Sequence, residues 1–160
     1  MHSLFIVSNI YYSKTTLMDL IAGRKVDGIM TGSIRFHDQD LTTSNANIAY
    51  VQATDIHIGE FTVLQNLFYS ARLRLCSSMS DQEITSRCEA VAALVSLESA
   101  LQVCVGSELA KGISGGQKKR LSIATELLAL PDVLCLDEPT SGRLRWTCCT
   151  FPLQHHGLRL

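Results

Sequence analysis

Lys111-Gly-Ile-Ser-Gly-Gly-Gln-Lys-Lys-Arg120, followed one helix later by Val133-Leu-Cys-Leu-Asp-Glu138, decides how the rest of the chain reads. Ser114-x-x-Gln117 has the form of a capping box, in which the side chains at each end satisfy the other's free backbone donor. It predicts a helix from Ser114 through about Leu128, ended by Pro131. The apolar run Val133 to Leu136 then predicts a short buried strand that delivers two adjacent carboxylates to its end.

Two more boxes stand upstream. Thr62-x-x-Gln65 opens one helix, and Ser80-x-x-Glu83 opens another running to about Leu97, with Ile84, Val91, Leu94 and Val95 on its apolar side. Nearer the start, Ser3 to Val7 reads as a buried strand and Lys14 to Ala22 as a helix, with Leu17, Leu20 and Ile21 at helical spacing. Gly23 and Gly28 break the chain, and Gly32 to Phe36 and Asn47 to Gln52 suggest two further short strands. Helices alternating with short buried strands predict an α/β architecture, and no internal repeat competes with it.

The chain has 160 residues, 46% of them apolar and 18% charged, which suits one globular domain with a buried core. Fourteen basic against fifteen acidic side chains leave no broad positive field, so nucleic acid is not an expected partner. The six cysteines show no CxxC pair, and no signal peptide precedes them, which fits a reduced, cytosolic setting. Glu89, Glu98, Glu126 and Asp132 interrupt every stretch approaching the roughly 18 to 20 apolar residues of a spanning helix, so no transmembrane segment is expected.

Asp137-Glu138 at the end of an apolar strand has the form of a Walker B motif, one carboxylate serving Mg²⁺ and the next the attacking water. In isolation such a pair reads more readily as two solvated carboxylates before a turn at Pro139. Ser114, Gly115 and Gly116 are more specific: at a helix start, free amides and the positive dipole end favour a phosphate, and glycine lets it approach the backbone. With the acidic pair one helix and one strand further on, the bland reading of a Gly-Gly turn loses ground.

The stretches Lys14 to Lys25, Ala49-Tyr-Val-Gln52, Phe61-Thr-Val63, Ser70 to Arg74 and Lys111 to Gly142 resemble the nucleotide-binding domain of the G subfamily of ATP-binding cassette (ABC) transporters, the pleiotropic-drug-resistance and white-type exporters. The resemblance implies a P-loop NTPase core sheet with helices, plus a helical signature subdomain at about residues 62–110. It implies ATP and Mg²⁺ as cofactors. Lys14 would reach the β- and γ-phosphates, with Thr15 and Thr16 beside it, and Thr15 would offer its hydroxyl to Mg²⁺. Gln52 would contact metal or water as the Q-loop glutamine, Asp137 would hold Mg²⁺ through water, and Glu138 would act as general base. Ser114, Gly115, Gly116 and Gln117 would touch ATP held by a second, facing nucleotide-binding domain in a head-to-tail dimer. A transmembrane domain is the other implied partner, which puts the chain at the cytoplasmic side of a membrane.

The pattern departs from the family at both flanks. A phosphate loop reads GxxxxGK[ST], yet Ser8 and Ser13 stand at the two glycine positions, with Tyr11 and Tyr12 between them. Side chains forced into such a loop cost about 1 to 3 kcal/mol each. No aromatic A-loop precedes the first strand, and from Arg143 the D-loop and switch histidine of the family are replaced by other sequence. The expectation is a domain of residues 1–142 truncated at both ends, followed by a solvated or disordered tail at 143–160, the flanks reflecting a faulty gene model, mis-splicing or a decaying copy. Cys148, Cys149, His155 and His156 in that tail lack the C-x₂₋₄-C spacing of a metal site. Impaired ATPase coupled to export is therefore one reading of the chain. An inert product that pairs with another nucleotide-binding domain is a second, and a soluble ABC ATPase of translation or DNA repair is a third.

Overall fold

The computed structural model describes residues 4–7, 14–24, 27–29, 31–36, 39–40, 46–75, 78–107 and 110–137, with the backbone alone for 4–7, 14–15, 36 and 39–40. These residues fall into two compact units, one of residues 4–53 and 131–137, the other of residues 54–130. The first holds β1 (Leu4–Val7), α1 (Lys14–Ile21), β2 (Arg35–Phe36), β3 (Gln39–Asp40), β4 (Ile48–Val51) and β5 (Val133–Leu136). The second holds α2 (Val63–Arg74), α3 (Asp81–Leu94), a 3₁₀ turn (Glu98–Ala100) and α4 (Gly115–Leu127).

In the first unit β1, β5 and β4 form a parallel sheet in that order, while β2 and β3 pair as a small antiparallel ribbon. The last strand among the described residues is thus the middle strand of this sheet. A middle strand of a parallel sheet is covered on both faces, which is why Val133-Leu-Cys-Leu136 is an unbroken apolar run and why all four residues are buried. On β4 burial alternates: Ala49 and Val51 are buried, Ile48 and Tyr50 only partly. Met18 of α1 packs on Val133 and Cys135, with Ile21, Ile48 and Tyr50 around them, so α1 covers the face from which those strand residues project. The helix ends in a Schellman turn. Gly23 takes the left-handed conformation at φ 66°, and the amides of Gly23 and Arg24 return to the carbonyls of Leu20 and Asp19.

In the second unit all three predicted capping boxes form, at Thr62, Ser80 and Ser114, with both reciprocal bonds present in each. The three helices pack pairwise. Val63, Leu67 and Ala71 of α2, Ile84, Cys88, Val91 and Ala92 of α3, and Leu121, Ala124 and Leu127 of α4 are buried, each set at the spacing that gives a helix one apolar stripe. Helix α3 stops at Leu94, three residues short of the expected Leu97. Ser96 adopts φ 56°, and the amides of Ser96 and Leu97 bond back to Ala93 and Ala92, a Schellman turn built on serine. The turn sends Leu97, fully buried, back into the core.

Charged side chains tie the helices together. Arg74 of α2 makes a bidentate pair with Glu126 of α4, at 2.8 and 2.7 Å. Arg87 of α3, 5% exposed, donates from Nη2 to the Leu128 carbonyl at 2.6 Å. That carbonyl lies at the end of α4, where the helix dipole favours a cation.

Candidate functional site

The sequence-predicted residues divide between the two units, and each group has its own geometry. In the first unit the strand register is decisive. Val7, Leu136 and Val51 are mutual partners across the parallel sheet, so β1, β5 and β4 end side by side. From those ends leave the segment leading to Lys14, Asp137 and Gln52 respectively. The carboxyl edge of a parallel sheet is where α/β folds collect ligands, because the connections diverge there and leave a crevice. The Asp137 amide donates to the Val51 carbonyl at 3.0 Å, so the ladder continues to this edge.

Asp137 is 8% exposed, and its Oδ2 accepts a hydrogen bond from the Tyr50 hydroxyl at 3.3 Å. The Arg24 guanidinium lies over the Tyr50 ring, 4.7 Å from its centroid. Burial pushes the Tyr50 phenol above its ordinary value, and the charges of Asp137 and Asp19 raise it further. The phenol is therefore a hydrogen-bond donor throughout the physiological range. Gln52 is exposed at the adjacent strand end. The Asp137 carboxylate and Gln52 amide oxygen are hard oxygen donors of the type Mg²⁺ takes, so the residues present fit that ion. Lys14 and Thr15 are the first two residues of α1, and Thr16 is exposed in its first turn. The side chains of Lys14 and Thr15 lie outside the described residues, as do Ser8, Ser13, Glu138 and the tail from Arg143.

In the second unit the serine-diglycine turn sits at an exposed helix start. Ser114 caps α4: its Oγ accepts from the Gln117 amide at 3.3 Å, and Gln117 Oε1 accepts from the Ser114 amide at 2.8 Å. The box uses the Gln117 amide, and those of Gly115 and Gly116 belong to the first turn, which has no helical acceptors. A Cβ built on Gly115 meets nothing within 4 Å, so the approach to this turn is open. Amides at the positive end of a thirteen-residue helix, with room in front of them, suit a phosphate.

Three strips of backbone support this turn. The Val105 amide donates to Phe61 O, the Gly106 amide to Gly59 O and the Ile113 amide to Val105 O, at 2.9, 2.9 and 3.2 Å. Where the strips meet they touch so closely that a Cβ on Gly112 would lie 2.2 Å from the Val105 carbonyl oxygen. Gly106, at φ 78°, faces Gly112 across the same contact.

A polar cluster joins residues 55–58 to α4, and nothing in the sequence pattern announced it. Ser122 Oγ donates to Asp55 Oδ1 at 2.7 Å and lies 3.0 Å from His57 Nε2, which is also 3.0 Å from the Lys118 carbonyl. Lys119, its side chain 3% exposed, pairs with Asp55 at 3.0 Å. Serine, histidine and aspartate here do not form a nucleophile relay. Asp55 accepts from the serine, whereas a relay needs it on the imidazole. The cluster is a structural clasp.

Burial lowers the His57 pKa below 6.5; the Lys118 carbonyl and the Asp55 charge oppose this, and the Lys118 and Lys119 charges add to it. The unfolded chain thus takes up a proton at higher pH than the folded one. The stability contributed by neutral His57 is complete above pH 6.5 and declines as pH falls below that value. Thermal unfolding between about pH 7.5 and about pH 5.5 should show a larger fall in Tm for the native protein than for His57→Gln. Equal falls would remove His57 from the acid response.

A family model described as ABC transporter matches residues 13–141. The chain is 42% identical over 131 residues to ABC transporter G family member 51 of Oryza sativa subsp. japonica, covering 81% of this chain and 9% of that protein. It is 41% identical over 130 residues to ABC transporter G family member 13 of Arabidopsis thaliana, covering 81% and 19% respectively. It is also 41% identical over 131 residues to Pleiotropic drug resistance protein 2 of Nicotiana plumbaginifolia, covering 81% and 9%. The chain therefore spans between 9% and 19% of the length of these curated relatives. The first two are named as ABC transporters, and none of the three names is that of a soluble ATPase of translation or DNA repair.

Proposed function

The chain belongs to the ABC transporter family and carries its ATP-binding domain in part; on that premise we propose that it binds Mg²⁺-ATP at the sheet edge and offers its serine-diglycine turn to a second nucleotide-binding domain. The observation that carries this reading is the in-register ending of β1, β5 and β4, which supports one nucleotide site drawing on Lys14, Asp137 and Gln52. Lys14 would hold the β- and γ-phosphates with Thr15 and Thr16 beside it. Thr15, Gln52 and Asp137 would supply the oxygens for Mg²⁺, which would offset the negative charge of the phosphates. Glu138, next after Asp137, would take the proton from the attacking water. Ser114, Gly115, Gly116 and Gln117 would complete the site of the facing domain, head to tail.

In this reading hydrolysis drives export through a transmembrane domain on the cytoplasmic side of a membrane. Among the described residues no helix is long and apolar enough to cross one.

A second reading has a specific observation in its favour. The signature turn is capped and open, whereas Ser8 and Ser13 replace both glycines of the phosphate loop. Such a chain would complete a partner's site more readily than its own. Calorimetric titration of the purified chain with Mg²⁺-ATP, with and without Lys14→Ala, separates the two. A working site gives Mg²⁺-dependent binding that the substitution weakens by at least about tenfold, the loss of one charge-assisted phosphate contact. Millimolar or absent binding in both proteins overturns the first reading and leaves the second.

A further inference from the structure

We propose that Tyr50 positions the Asp137 carboxylate for a divalent cation. The inference rests on the nucleotide reading of the sheet edge and adds to it a positioning residue. Tyr50 pairs with Cys135 across the β4–β5 ladder, so it projects from the face covered by α1. Asp137 lies two residues beyond Cys135, and the alternation of side chains along a strand returns it to that same face. Two residues of strand rise about 6.6 Å, close to the reach of a tyrosine side chain from its Cα. The phenol oxygen accordingly arrives at Asp137 Oδ2, and a serine or threonine at position 50 would stop short.

The ring itself is held from outside. Arg24, whose backbone is set by the left-handed Gly23 turn, places its guanidinium over the tyrosine ring. The groups facing the phenol are therefore Asp137 and Asp19, both acidic, and Arg24, basic. The bond at 3.3 Å is long for a hydroxyl on a carboxylate, so its part is to choose an orientation more than to add stability. A carboxylate with one oxygen fixed in this way cannot rotate freely about its Cβ–Cγ bond, and less ordering remains to be done when a cation arrives. Because Tyr50 and Gln52 share one strand end, a shift of β4 would move Gln52 and the Tyr50 hydroxyl together.

The test compares ATP affinity in excess Mg²⁺ with that in EDTA, by calorimetry on the full chain, for the native protein, Tyr50→Phe, Asp137→Asn and the double variant. Phenylalanine keeps the ring under Arg24 and removes only the hydroxyl. The Mg²⁺-dependent gain in affinity should fall about fivefold in Tyr50→Phe, somewhat less than a short hydrogen bond to a charged group would give. Affinity in EDTA and Tm should stay near native values, and Tyr50→Phe should have no further effect once Asp137 is asparagine. An undiminished Mg²⁺-dependent gain in Tyr50→Phe overturns the proposal. A loss that persists in the Asp137→Asn background, or that appears equally in EDTA and in Tm, also overturns it, since either marks a merely structural tyrosine. Absence of any Mg²⁺-dependent gain in the native protein sinks the nucleotide reading, and this proposal with it.

Discussion

Gly112→Ala should destabilise the unit of residues 54–130 by about 3 kcal/mol, near the upper end for a single added methyl group. The methyl carbon would sit 2.2 Å from the Val105 carbonyl oxygen, 2.4 Å from its carbon and 2.5 Å from the Gly106 nitrogen. All three are backbone atoms, and the Val105 carbonyl is the acceptor for Ile113. Relief by a side-chain rotation is therefore not available. The strips must part, and the bond that holds the approach to Ser114 is lost with them. Gly115→Ala, three residues away, is the control. Its Cβ enters open space at the first helical position, where alanine is preferred to glycine, so stability should hold or rise by about 0.5 kcal/mol. Urea unfolding of the two variants decides the matter, and a Gly112→Ala protein as stable as the native one would mean that the strips are not so tightly joined.

Asp55→Ala should cost about 3 kcal/mol, because it strips the carboxylate from an ammonium group that water barely reaches. The Lys119 side chain is 3% exposed and Asp55 19%, so the pair is screened far less than a surface bridge. Ser122 loses its 2.7 Å acceptor in the same step. Adding Lys119→Met to Asp55→Ala should restore most of the loss, since an apolar chain of similar length removes the buried charge while filling its space. A loss below about 1 kcal/mol for Asp55→Ala, or no recovery in the double variant, would show that the pair behaves as an exposed one.

Local signals that have a residue-type signature are legible in the sequence. A capping box spans four residues, so the starts of α2, α3 and α4 were visible at Thr62, Ser80 and Ser114. The Val133–Leu136 strand was visible because a middle parallel strand has no polar face to disguise it. The end of α3 was not. Its left-handed turn uses Ser96, a residue that rarely adopts this conformation, and no glycine marks the place. The antiparallel partner of Arg35–Phe36 also escaped, since two residues at Gln39–Asp40 carry no period. Of the candidate site, Asp137 and Ser114 to Gln117 are legible from the form of their motifs, and Gln52 only from the family resemblance. The contacts around them were hidden by distance along the chain: Tyr50 and Asp137 are 87 positions apart, His57 and Ser122 are 65. The same holds for the touching backbones at Gly106 and Gly112, where the glycines could be read but their contact could not.

The pairing of Val7, Leu136 and Val51 also sets what kind of genetic change this chain could survive. Exchanging one aliphatic residue for another inside Val133–Leu136 leaves the parity of the strand intact, and Asp137 still emerges on the side of the Tyr50 hydroxyl. Gaining or losing a single codon there inverts the parity, so that the acid is delivered to the opposite surface while hydrophobicity hardly alters. A mutation tally that counts only substitutions would thus miss the lesion to which this segment is most vulnerable.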